Sequence, residues 1–99
     1  MNKKSEILDF LRDNRHYLLD HFHVTKVALF GSFARDEANE KSDIDLLIEL
    51  EKETVNIYEL KNELKSYLSR AFNRPVDLAR EKYLKPYAKE HILKDAIYV

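Results

Sequence analysis

The chain has 99 residues, 44% of them hydrophobic, with 17 Lys and Arg against 18 Asp and Glu, a net charge of −1 and no cysteine. Such a length fits a single domain over residues 1–99, the apolar fraction excludes wholesale disorder, and the balanced charge lacks the basic excess of a nucleic-acid-binding domain, so no direct nucleic-acid contact is expected. The missing cysteine excludes disulfide scaffolds, cysteine-ligated zinc and thiol catalysis, and without a signal-like leader or a run of about 20 apolar residues the chain is expected in the cytoplasm and off the membrane.

Taken in chain order, Ile7, Leu8, Leu11, Leu18, Leu19 and Phe22 recur at helical spacing and predict a helix over 5–22, with Ser5 as its N-cap. Val24 to Phe30 is short and β-branched at its start and reads as a strand, ending at Gly31, the only glycine of the chain. Ser32 to Ala38 reads as a short helix, residues 39–42 as a polar loop, and Asp43 to Leu50 as a second strand. Asn56 is expected to cap a helix from Ile57 to Phe72, whose stripe is Ile57, Leu60, Leu64, Leu68, Ala71 and Phe72. Pro75 to Ala79 reads as a third strand, Pro86 opens a last helix through Lys94, and Ala96 to Val99 forms an edge strand. This alternation predicts a small α/β (or α+β) domain.

The chemistry concentrates between residues 31 and 45. On a strand, Asp43 and Asp45 project to one face about 6–7 Å apart along the chain. Like charges this close repel unless a cation lies between them, and Mg²⁺, which favours carboxylates and completes its shell with water and phosphate, suits the pair. Upstream, Gly31 lets the backbone approach a ligand, and Ser32 brings a hydroxyl and free N–H groups to a helix start, a seat for phosphate. Arg35, one turn on, can serve the same anion or pair with a carboxylate. A phosphate seat followed by paired carboxylates is what transfer chemistry on a nucleoside triphosphate requires.

Plainer roles stand beside these. Asp43 and Asp45 could be a solvated strand end, Arg35 a structural ion-pair residue, Gly31 an ordinary turn, and the lysines at 82, 85, 89 and 94 a solvated face. His16, His21 and His23 stand five and two residues apart, share no helical face, and do not read as metal ligands.

Gly31-Ser32-Phe33-Ala34-Arg35 followed, with ten residues between Ser32 and Asp43, by Asp43-Ile44-Asp45-Leu46 closely resembles the signature of the minimal nucleotidyltransferases, a group of the DNA polymerase beta-like superfamily that includes the MntA antitoxins. The resemblance spans nearly the whole chain. It implies a small twisted mixed sheet flanked by helices (the nucleotidyltransferase fold), ATP as substrate and two Mg²⁺ ions. The family's third carboxylate stands in a Val-Asp-Leu context, which Val76-Asp77-Leu78 matches, so Asp77 joins Asp43 and Asp45 as metal-site and catalytic residues, with Gly31, Ser32 and Arg35 at the nucleotide. For MntA antitoxins the resemblance further implies a HEPN-domain ribonuclease toxin as partner, silenced when AMP is moved onto its tyrosine. One departure is Asp36, where the family often has glycine after the arginine. Transfer to a small antibiotic-type hydroxyl compound, a non-catalytic antitoxin or interaction module, and homo- or hetero-oligomerisation remain open on the sequence.

Overall fold

The computed structural model describes residues 3–99. Helix α1 (Lys4–Asp13) buries Ile7 and Leu11, four residues apart on one face, and α2 (Arg15–Phe22) buries Leu18 and Phe22 with the same spacing. The single helix expected over 5–22 is therefore two. At Asn14 the backbone leaves helical geometry (φ −105°, ψ 15°) while the side-chain amide donates to the Phe10 carbonyl at 2.8 Å. Leu11 and Leu18 are two turns apart, so the interruption leaves the apolar period intact and is invisible to it. Nor is Ser5 the cap: the helix starts one residue earlier, and the Lys3 amide donates to Glu6 Oε1 at 2.9 Å.

His23, in the left-handed region (φ 60°), closes α2 and turns the chain into β1 (Val24–Phe30), as expected. A short turn of helix, α3 (Gly31–Ala34), starts one residue before and ends four residues short of the helix expected over Ser32 to Ala38. Strand β2 (Ile44–Leu50) runs antiparallel to β1, pairing Ala28 with Leu47 and Phe30 with Asp45. Helix α4 (Ile57–Phe72) has the expected bounds and buries Leu64, Leu68 and Phe72. Asn56 occupies its N-cap position in a left-handed conformation (φ 55°), but its side chain makes no capping bond. Because α4 carries the chain back across the sheet, β3 (Val76–Arg80) can lie parallel to β2. A 3₁₀ turn (Glu81–Tyr83), which the pattern did not announce, leads to α5 (Pro86–Asp95) with proline at its first position, and β4 (Ile97–Tyr98) pairs with the free edge of β1.

The result is a mixed four-stranded sheet in the order β3-β2-β1-β4. Alternation along β2 sends Ile44, Leu46 and Ile48 into a core shared with Ile7, Leu11, Leu18, Leu64 and Leu68, and sends Asp45, Leu47 and Glu49 to the other face. Each such buried aliphatic side chain contributes about 1.5–3 kcal/mol. The first carboxylate-bearing strand is thus anchored by every second residue. No helix among the described residues is long and apolar enough to cross a membrane.

Candidate active site

Gly31 stands where β1 ends, at φ +75°, a conformation that L side chains rarely adopt. A Cβ there would also fall into the Asp45 carboxylate, 3.0 Å from its Cγ. Only a glycine allows the backbone at residue 31 and the carboxylate at residue 45 to be neighbours. Phe30 pairs with Asp45 across the ladder, which holds this contact in place. On the other side of β2, Asp45 pairs with Asp77 of β3. Register partners share a face on strands about 4.8 Å apart, so these two carboxylates flank one another. Asp43 precedes β2 by one residue, two before Asp45.

Asp43 and Asp77 are exposed, whereas Asp45 is half-buried between them. Burial pushes the Asp45 carboxyl above its ordinary value, the negative charges of Asp77 and Asp43 push it further the same way, and the Arg35 guanidinium opposes them. Residues from three separate segments therefore act on one carboxylate. Ser32 lies in the first turn of α3, beside Gly31. The Arg35 side chain donates from Nε to Glu37 Oε1 at 3.0 Å and ion-pairs with Asp95 of α5 at 3.5 Å. It thus serves as a structural pair as well as a charge facing Asp45. Asp36 adopts φ 60°, the left-handed conformation in which a glycine is at ease, and Lys4 Nζ bonds its carboxylate at 3.2 Å.

Among the described residues no three carboxylates or histidines converge into a ready-made metal cage. The donors present nonetheless fit Mg²⁺, which is held by one or two carboxylates and completed by water and substrate phosphate. The raised Asp45 carboxyl, flanked by two further aspartates, is the electrostatic complement of a hard dication.

Arg74, three residues before Asp77, adds a contact to this region that the sequence does not signal. Arg74 Nη1 donates to the carbonyls of Asn39 at 3.1 Å, Glu40 at 3.2 Å and Ser42 at 2.6 Å, and its guanidinium lies over the Phe33 ring at 5.1 Å. Its partners are backbone carbonyls more than thirty residues away, which no motif announces. A cavity of about 480 Å³, lined by Arg12, Arg15, His16, Leu19, Val24 and Thr25, contains none of the site residues. The aspartates stand at the end of the sheet where β1 stops, Asp43 and Asp77 on an exposed ledge and Asp45 half-buried behind them.

A family model described as a nucleotidyltransferase domain matches residues 5–99. A Methanocaldococcus jannaschii protein named as a candidate protein adenylyltransferase, MJ1379, is 39% identical over all of both chains. The protein adenylyltransferase MntA of Thermococcus cleftensis is 33% identical over 95% of this chain and 93% of its own. The solved structure of a candidate minimal nucleotidyltransferase superposes with a TM-score of 0.77 at 32% identity, covering 97% of this chain and 95% of that one. The same fold, at 22% identity and a TM-score of 0.57, occurs in a complex of a tri-AMPylated Shewanella oneidensis HEPN toxin with its MNT antitoxin, over 96% of this chain and 66% of that one.

Proposed function

This chain belongs to the nucleotidyltransferase domain family, as a minimal nucleotidyltransferase of the MntA type, and from that premise we propose that it moves AMP from ATP, with Mg²⁺, onto a tyrosine hydroxyl of a partner HEPN ribonuclease toxin. The observation that carries the reading is the placement of Asp45, held between Asp43 and Asp77 with its carboxylate against the backbone of Gly31. Support for a protein acceptor comes from the names of the relatives and from the open setting of the aspartates, two of which are exposed, since an acceptor protein can cover what this small chain leaves uncovered.

In this reading the Ser32 hydroxyl and the backbone at Gly31 bind the β- and γ-phosphates. Asp43 and Asp45 would hold one metal ion and Asp77 would complete the site of a second. Bound there, Mg²⁺ supplies charge neutralisation for the triphosphate and for the departing pyrophosphate. The tyrosine oxygen forms a bond to the α-phosphorus while the bond from that phosphorus to pyrophosphate breaks, and Asp77 takes the phenolic proton. Holding attacking and leaving oxygens in line contributes much of the rate gain, because there is little covalent chemistry left for the protein to do. Arg35 orients the phosphates only after loosening its hold on Glu37 or Asp95.

The test uses ATP labelled at the α- or the γ-phosphate, with Mg²⁺ and lysate of the source organism, wild type beside Asp43→Asn. The expected result is α-label on a protein band, absent with γ-label and absent with the variant. Label confined to small molecules would replace the protein acceptor with an antibiotic-type one. Silencing of a partner toxin by a variant with Asp43 and Asp45 both neutralised would replace transfer with simple occlusion.

A further inference from the structure

We propose that Arg74 is a positioning residue for nucleotidyl transfer, setting the place of Asp43 relative to Asp77 and to the Gly31–Ser32 turn; the proposal rests on the reading of the site given above. Its main chain is held first. Helix α4 ends in paired reverse bonds, from the Asn73 amide to the Arg70 carbonyl at 3.3 Å and from the Arg74 amide to the Ser69 carbonyl at 3.2 Å, with Asn73 left-handed at φ 52°. Pro75 follows, and its ring crowds the residue before it, so the backbone at residue 74 has little freedom. From this anchor the guanidinium reaches three carbonyls of the loop before β2, those of Asn39, Glu40 and Ser42.

Asp43 has no place in the β ladder, yet both peptide groups beside it are tied to this one spot. The carbonyl of Ser42 accepts from Arg74 at 2.6 Å, and the amide of Ile44 donates to the carbonyl of Pro75 at 3.0 Å. Asp77 stands only three residues beyond Arg74. Beyond the β2–β3 ladder, in which Ile44 pairs with Val76 and Asp45 with Asp77, the Asp43 backbone is thus tied to the start of β3 across one arginine and one proline. The same guanidinium lies 5.1 Å over the ring of Phe33, the residue after Ser32, so the phosphate-side turn is registered to the same point. Charge-assisted bonds from a planar guanidinium resist displacement more than neutral ones, and a flexible ammonium reproduces them incompletely.

The test compares wild type, Arg74→Ala, Arg74→Lys and the inactive reference Asp43→Asn, with the folded fraction of each measured by circular dichroism. In the metal-free chain, the amides of Ser42 and Ile44 are expected to exchange at least about tenfold faster in Arg74→Ala, while amides in the middle of α4 keep their protection. AMP transfer per folded molecule should fall about 10²-fold, the scale of a small misplacement of a reacting group, with a several-fold rise in the Mg²⁺ concentration that half-saturates calorimetric ATP binding. Arg74→Lys should fall between wild type and Arg74→Ala in all three. Unchanged exchange at residues 42 and 44, or loss of transfer only in proportion to unfolding, would overturn the proposal. Faster exchange in Arg74→Ala beside a wild type that transfers no AMP would instead overturn the transfer reading and leave the positioning of the loop standing.

Discussion

Two ends of the same sheet are built on opposite rules. Behind it, α1, α2 and α4 close a core in which Ile7, Leu11, Leu64 and Leu68 are fully buried, edged by aromatic contacts such as Phe10 against Phe72 at 5.0 Å and Tyr17 stacked on Tyr67 at 5.1 Å. At the ledge, a glycine sits at φ +75°, an aspartate at φ 60°, and two exposed carboxylates flank a half-buried one. The first region gains stability from every contact, while the second gives some up. Left-handed residues also cap α2 and α4, at His23 and Asn73, so what sets the ledge apart is like charge held around a half-buried carboxylate, a cost that a bound cation would relieve.

The comparison can be broken most forcefully by neutralising the ledge. Asp45→Asn should lower AMP transfer by at least about 10³-fold, roughly 4 kcal/mol of transition-state stabilisation, measured with α-labelled ATP per folded molecule. Substitution behind the sheet should do the reverse. Leu64→Ala is expected to cost about 3 kcal/mol in urea unfolding, as other fully buried leucines do, and to leave transfer per folded molecule unchanged. Gly31→Ala tests both rules together. A Cβ at residue 31 cannot coexist with the Asp45 carboxylate where it stands, so transfer should drop about 10²-fold, whereas unfolding should become easier by only about 1–2 kcal/mol.

The smallest effect has the opposite sign. Asp45 holds its proton more tightly in the folded chain than in the unfolded one, because burial and two neighbouring aspartates disfavour its charge. Its contribution to stability is therefore fully present below the ordinary aspartate range and is lost as pH rises through the raised value. At pH 7 in chelator, Asp45→Asn should stabilise the chain by about 0.5 kcal/mol, a figure kept small because the carboxylate is partly solvated. Thermal unfolding should show this gain shrinking as pH falls through the raised Asp45 value, where the wild-type carboxyl takes up its proton.

Much of the fold was legible in the residues. Strand β1 and helix α4 have the expected bounds because a β-branched run and a four-residue apolar stripe each specify one period, and both end at residues suited to a turn, Gly31 and Asn73. The break at Asn14 was hidden because it fell between leucines two turns apart, and the cap at Lys3 because a backbone amide, not a hydroxyl, makes the bond to Glu6. At the site, sequence spacing alone brought Gly31, Ser32, Asp43 and Asp45 to attention, and the register then set Asp77 beside Asp45. Arg74 and Asp95 stayed out of sight, since what they touch is set by the sheet and by α5 rather than by their neighbours in sequence.

The most direct measurement is the intact mass of a HEPN toxin co-expressed with this chain, wild type beside Asp43→Asn. The toxin should gain one or more AMP increments with the wild type, which fragmentation then places on tyrosine, and none with the variant. A toxin of unmodified mass that is nevertheless silenced by both proteins would contradict transfer.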